Sequence, residues 1–117
     1  MRVSTIALLG AFMVACGGAT PPPNTEFDQA QADIARAEGG GAPGVPDAKL
    51  HLQLAAEDLQ KSRSLAGQDN KRADSLLALS RTEATLALSL ARAAQAQAGA
   101  DQAQQELQKA KGTGGAP

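Results

Sequence analysis

The feature that most constrains the fold is a repeat in which small and apolar residues recur alternately four and three positions apart. It occupies the second half of the chain, where its members are Ala73, Leu77, Ser80, Ala84, Ala87, Ala91, Ala94 and Ala98. This spacing lines side chains along one stripe of an α-helix and is typical of a seam against a second helix. Because the stripe is mostly alanine, the facing helix can approach closely. The repeat therefore predicts an all-α protein built on one close helix–helix contact.

A matching repeat lies upstream and predicts the facing helix. Its members are Ala48, Leu52, Ala55, Leu59, Ser62 and Ala66. Pro46 suits the first turn of this helix, and Gly67 is a typical residue just beyond a helix end. The short connection between the repeats predicts an antiparallel helical hairpin over residues 46–66 and 70–111.

Two serines, Ser62 and Ser80, fall on seam positions. A serine hydroxyl inside a helix often bonds the carbonyl of its own preceding turn. We expect both side chains to pack closely and to make such bonds within their own helices, rather than to act as nucleophiles, because the only histidine is distant from both in the sequence.

A shorter helix is predicted ahead of the hairpin, over residues 24–38. Asn24 and Thr25 are favourable N-cap residues, and the run of glycines at 39–41 ends the segment. The spacing of its apolar residues predicts one buried stripe. That stripe consists of Phe27, Ala30, Ile34 and Ala37.

The last helix is expected to overhang its partner, from about residue 92 to residue 111. Its apolar register changes there to Ala96, Ala100, Ala103, Leu107 and Ala110. Gly99 lies at the change, but one glycine costs only about 1 kcal/mol, so we expect a continuous helix, with a break at Gly99 as the alternative. Residues 112–117 are predicted to form a disordered tail, and the helical domain covers residues 24–111.

Composition argues against most active-site chemistry. Alanine supplies 26 of 117 residues, Trp and Tyr are absent, and the formal net charge is −1. Without aromatic walls or a basic surplus, we expect neither a small-molecule pocket nor nucleic-acid binding. The only histidine, His51, lies off the seam, and we expect it to face solvent, or to lie along the helix surface with its ring tip in solvent, rather than to bind a metal. We therefore predict no enzymatic activity, no cofactor and no metal site.

Charged residues are instead expected to form ordinary surface pairs. Glu57 and Asp58 are adjacent, so on a helix they point about 100° apart and cannot act as an acid–base pair. Glu57 is expected to pair with Lys61, four residues later. A second pair is expected between Asp33 and Arg36, three residues apart.

The N-terminus has the features of an export signal. Arg2 precedes an uncharged stretch of ten residues, 6–15, which is too short for a resident membrane helix. It ends in Met13-Val14-Ala15-Cys16, which resembles a bacterial lipobox. That resemblance implies a signal peptide over residues 1–15, cleavage before Cys16, and lipidation of Cys16 by diacylglycerol and a further acyl chain such as palmitate. An ordinary secretory signal with cleavage elsewhere is the alternative.

Residues 16–23 then form a Gly/Pro linker that lifts the domain off the membrane. Gly17 stands where an aspartate would retain a lipoprotein in the inner membrane of enteric bacteria. The pattern therefore resembles outer-membrane sorting. We expect a lipid-anchored protein of the cell envelope that faces the periplasm, with surface exposure as a further possibility.

The helical region resembles an uncharacterised family of short alanine-rich lipoproteins of Gram-negative bacteria. The similarity rests on the segment ADIARAEGGGAP at 32–43, on Pro46, on the seam through Leu59, on Gly67, and on the alanine repeat of the last helix. Some members of that family precede an OmpA-like peptidoglycan-binding domain, whereas this sequence stops at Pro117. The resemblance implies a helical fold and an envelope location, and it implies no activity.

These observations predict a non-enzymatic envelope lipoprotein that acts as a helical spacer or docking surface. Its expected partners are the membrane, through acyl chains on Cys16, and an envelope protein. Two alternatives are a structural lipoprotein associated with peptidoglycan and an accessory subunit of an envelope enzyme or transporter. The known wall-linked lipoproteins attach through a C-terminal lysine, and the Gly-Gly-Ala-Pro ending argues against covalent attachment of that kind.

Overall fold

The computed structural model describes residues 20–114, and Cys16, the signal segment and the last three residues lie outside this range. Helix α1 spans Asn24–Gly39, α2 spans Pro46–Leu65 and α3 spans Asn70–Gly114. A single 3-10 turn, Ala42–Gly44, joins α1 to α2. The described part of the chain is entirely helical between its turns, which confirms the predicted all-α hairpin with a preceding helix.

The seam between α2 and α3 forms the core of the hairpin. On α3 the first six members of the predicted repeat are buried, whereas Ala94 is half-buried and Ala98 is exposed. On α2 the first five members are buried and Ala66 is half-buried. The predicted seam is therefore correct, and it ends where α2 begins, near Pro46.

The two seam serines bond across the hairpin. Ser80 Oγ on α3 donates to the carbonyl of Ala55 on α2 at 2.6 Å, and Ser62 Oγ on α2 donates to the carbonyl of Ala73 on α3 at 2.6 Å. The expectation of bonds within each serine's own helix was wrong. With small residues along the seam, the facing backbone lies within reach of a hydroxyl, and these bonds fix the antiparallel register.

Helix α1 packs alongside the hairpin and closes the core. Phe27, Ala30, Ile34 and Ala37 are buried as predicted, with exposed fractions of 7% or less. Gly40 allows the end of α1 to approach α3, because a Cβ at that position would meet the side chain of Leu88. The apolar stripe of α1 therefore completes a single core shared by the three helices.

The start of α1 differs from the sequence expectation, whereas the turn at Gly67 agrees with it. Pro23 occupies the N-cap position of α1 without a side-chain hydrogen bond, so Asn24 and Thr25 lie inside the helix and do not cap it. Gly67 follows α2 with φ of 85°, a left-handed conformation that favours glycine. Its backbone N–H donates to Asn70 Oδ1, which ties the turn to the start of α3.

Helix α3 is continuous through Gly99, as predicted, and has no break at the change of register. It also continues through Gly112 to Gly114, three residues beyond the expected end. At 1.5 Å per residue its 45 residues extend about 67 Å. The segment after Ala91, residues 92–114, projects beyond α2 by about 34 Å, and we call it the overhang.

Candidate interaction surface

Polar contacts hold α1 on one side of the hairpin. Asp33 on α1 accepts hydrogen bonds from Arg36 at 2.8 Å and from Arg81 of α3 at 3.0 Å. The Asp33 side chain is 16% exposed, so two guanidinium groups compensate a carboxylate that is largely removed from water. The pair with Arg36 was predicted; the pair with Arg81 was not, because the residues are 48 positions apart.

The first turns of α1 are held by an aromatic contact. The guanidinium carbon of Arg63 on α2 lies 5.8 Å from the centre of the Phe27 ring, a cation–π geometry. At the other end of α1, Gln95 Nε2 donates to the carbonyl of Gly40 at 2.9 Å. Helix α1 therefore runs from the α2–α3 turn towards the overhang, and it covers the side of the hairpin that carries Arg63.

The opposite side of the hairpin has no helix packed on it within residues 20–114. Each residue along a helix is rotated by about 100° from the one before it, so the residues just before and just after a seam position lie on opposite sides of the hairpin. Arg63 and Arg81 follow seam residues and lie on the side that α1 covers. His51 and Glu83 precede seam residues and lie on the other side. Leucines dominate that second side. We call them the leucine face, and its members are Leu50, Leu54, Leu76, Leu79, Leu86 and Leu90.

The leucine face is substantially exposed. Leu54, Leu79 and Leu86 are 37%, 45% and 40% exposed, and Leu50 is 54% exposed. Leu90 is partly buried against the core. Scattered exposed leucines are ordinary, but several exposed leucines on one side of two adjacent helices are typical of an interaction surface.

One polar pair crosses the leucine face. His51 Nδ1 on α2 lies 2.5 Å from Glu83 Oε2 on α3, in a hydrogen bond between side chains that are 27% and 18% exposed. His51 keeps part of its side chain in contact with solvent, but its Glu83 partner was not predicted, because Glu83 lies on the neighbouring helix, 32 residues away. The pair ties α2 to α3 at this level of the hairpin.

The remaining charged groups of the described residues include one exposed ion pair and one buried carboxylate. No group of three or more His, Cys, Asp or Glu side chains between residues 20 and 114 is placed to hold a metal ion. Glu57 and Lys61 form the predicted pair at 3.7 Å, and both side chains are more than 60% exposed. Asp58, by contrast, is largely buried, with 9% exposed.

Surface depressions are shallow. One open groove of about 300 Å³ lies between α1 and α2 and is lined mainly by polar residues together with Ile34 and Leu59. Across the described range, no helix is both long enough and apolar enough to cross a membrane. Cys16, the predicted lipidation site, lies outside the described residues.

The described residues form a helical hairpin with an alanine-rich seam, a third helix packed on one side, and a long overhang. Residues 25–103 match the family model of DUF4398, a domain of unknown function. This match covers most of the chain, and the chain belongs to that family. Neither the curated proteins nor the solved structures contain a match.

Proposed function

We propose that this protein is a non-enzymatic lipoprotein of the bacterial cell envelope, anchored by acyl chains on Cys16, whose helical hairpin serves as a docking surface. The exposed leucine face carries the docking part of the proposal. An apolar patch of this kind is costly to leave in water, and a protein partner would cover it. The lipobox-like Met13-Val14-Ala15-Cys16 supports the anchor, and two or three acyl chains give stable membrane attachment.

The direction of α1 supports the anchoring geometry. Asn24, its first residue, lies beside Ala66 at the α2–α3 turn, where both line one shallow depression. Only seven residues, 17–23, separate Cys16 from Asn24. An anchor on Cys16 would therefore keep the turn near the membrane surface, while the leucine face remains accessible along the side of the hairpin.

A labelling experiment tests the anchor. Cells that express the full chain are grown with radioactive palmitate, and the unsubstituted chain is compared with Cys16→Ser. We expect label in the mature unsubstituted chain, and an unlabelled, uncleaved precursor in Cys16→Ser, because the thiol is the attachment atom. Equal labelling of the two chains would contradict the proposed lipidation.

A spacer is the second candidate function, favoured by the overhang. In an upright chain the α2–α3 turn faces the membrane, and the end of α3 lies about 67 Å further out at 1.5 Å per residue. Neutron reflectometry of the lipidated chain in a supported bilayer measures this reach. A protein layer of about 70 Å supports a spacer, and a layer of about 30 Å, the length of α2, contradicts it.

The proposed place of action is the periplasmic side of the outer membrane, since Gly17 follows Cys16. A role as a peptidoglycan-associated protein, or as an accessory subunit of an envelope enzyme or transporter, is the alternative. Membrane separation on a density gradient, followed by detection of the chain, tests the location. Recovery in the inner-membrane fraction would contradict it.

A further inference from the structure

Asp58 on α2 is a carboxylate that is largely removed from water and has no polar partner. Only 9% of the residue is exposed. In the part of the chain that the structure describes, it takes part in no hydrogen bond and no ion pair, whereas two guanidinium groups compensate the burial of Asp33. Burial of a carboxylate without a cation or a donor raises the free energy of the folded chain. The hairpin therefore carries an acidic group whose charge is uncompensated.

The carboxylate of Asp58 opens onto the leucine face. Asp58 follows His51 by seven residues, which is two helical turns, so both lie on the same side of α2. Leu76 precedes Glu83 by seven residues on α3, and the His51–Glu83 hydrogen bond therefore places Leu76 level with Asp58. Leu54 lies one turn earlier on the same stripe of α2. Among the described side chains, no oxygen that is sealed from solvent lacks a hydrogen bond, so the Asp58 carboxylate still reaches the surface beside these leucines.

The cations on this side of the hairpin do not neutralise Asp58. Lys61 pairs with the exposed carboxylate of Glu57 at 3.7 Å. Arg72 lies one helical turn closer to the α2–α3 turn than Leu76, and its side chain forms no ion pair with any described residue. Four acidic side chains, Asp47, Glu57, Asp58 and Glu83, therefore share the side of the leucine face with two cations, Lys61 and Arg72. This excess of negative charge complements a basic partner.

The chemistry of a partner that covers the leucine face decides what happens to Asp58. A purely apolar helix would remove the remaining water from the carboxylate, at a cost that offsets part of the gain from covering the leucines. A helix with a lysine or an arginine within its apolar stripe would supply the missing cation, in a charge-assisted hydrogen bond. Burial of the leucines and pairing of the charge then favour the same partner, and helices without that cation are disfavoured.

We propose that the leucine face binds an amphipathic helix of another protein, and that a lysine or an arginine among the apolar residues of that helix pairs with Asp58. This inference rests on the proposed docking role and names the chemistry of the partner. The leucines supply the apolar contact, and Asp58 supplies the selectivity. A partner segment of about 20 residues follows the whole of α2, whose 20 residues extend about 30 Å.

Binding of synthetic helical peptides to the purified full chain tests this selectivity. Three fluorescent peptides of about 20 residues share one leucine stripe and differ only at its central residue, which is lysine, glutamine or glutamate. Fluorescence anisotropy measures the Kd of each peptide. We expect the lysine peptide to bind at least about tenfold more tightly than the glutamate peptide, as close charge pairs at protein interfaces do. Asp58→Asn keeps the shape of the side chain and removes its charge, so it should abolish most of this preference.

Two variants provide matched controls. Glu57→Gln removes the neighbouring carboxylate, whose side chain is 62% exposed, and it should keep the preference for the lysine peptide. Leu79→Ser should weaken the binding of all three peptides together, because it removes an exposed leucine without changing the charge of the surface. Circular dichroism of each variant checks that its helicity is unchanged.

Each other outcome overturns the proposal. Equal binding of the three peptides, or tighter binding of the glutamate peptide, would leave the docking role intact but exclude the basic partner. Equal loss of the preference in Asp58→Asn and Glu57→Gln would assign it to the overall negative charge of the surface. Binding of none of the peptides would contradict the docking role as well. A dimer in sedimentation equilibrium that Leu79→Ser dissociates would assign the leucine face to a second copy. None of these results depends on lipidation, which the palmitate experiment tests separately.

Discussion

Replacement of Ala87 by leucine tests the close packing of the hairpin. Ala87 is fully buried in the seam. Starting from the Ser80–Ala55 bond, it lies seven residues further along α3, level with Ala48, seven residues earlier on α2. Two alanines therefore face each other, and the hydrogen bonds that the seam serines donate to backbone carbonyls keep the helices close. Because both alanines are fully buried, the additional carbons of leucine have to displace the facing helix.

Overpacking of this kind typically costs about 1–3 kcal/mol. For a domain of this size, each kcal/mol lowers the melting temperature by roughly 4–8 °C, so we expect Ala87→Leu to melt about 4–24 °C below the unsubstituted chain. Ala103→Leu is the matched control, because Ala103 is exposed on the overhang. Its melting temperature should change little, as is usual for surface substitutions.

Thermal melts followed by circular dichroism at two protein concentrations provide the assay. Each variant is compared with the unsubstituted chain at the same concentration, since pairing of chains raises both melting temperatures together. If Ala87→Leu melts above the unsubstituted chain, and the difference grows with concentration, the added leucine is stabilising a contact between chains. That result would refute the close seam within one hairpin.

Three further substitutions, two of them paired with a control substitution, test individual contacts by urea unfolding of the purified chain. Ser80→Ala should cost about 0.5–1.5 kcal/mol through loss of its hydrogen bond to the α2 backbone, and no loss would contradict that bond. Gly40→Ala should cost about 1–3 kcal/mol by crowding α3, whereas Gly39→Ala, which has open space around its Cβ, should be neutral or stabilising; equal effects would refute the close approach. Arg81→Ala should cost up to about 1 kcal/mol, because it removes the ion pair between Arg81 and Asp33 of α1. Arg92→Ala should cost less, and a larger cost for Arg92→Ala than for Arg81→Ala would contradict that ion pair.

The helices and the seam could be predicted from the sequence because residues three or four positions apart lie on the same side of an α-helix. The 4-3 repeat on α3 identified its buried side from Ala73 to Ala91 without any knowledge of the partner. The start of α2 at Pro46 and the turn at Gly67 follow from backbone preferences of single residues. The continuity of α3 through Gly99 follows from the small cost of one glycine.

The polar contacts between different helices could not be predicted from residue spacing within each helix. The Glu83 partner of His51 and the Arg81 partner of Asp33 are 32 and 48 residues away, so only the packing of the helices brings them together. The hydrogen bond from the Ser80 hydroxyl to the carbonyl of Ala55 on α2 also depends on the packing of the helices. The side of the hairpin that α1 covers could not be predicted from the spacing within each helix, because it depends on how the helices pack.

The mass of the N-terminal peptide, measured on protein recovered from its native membrane, tests whether this chain is a lipid-anchored protein. We expect a first peptide that begins at Cys16 and carries two or three acyl chains, with residues 1–15 absent. A peptide that retains any of residues 1–15, or one that carries Cys16 with an unmodified thiol, would contradict the claim.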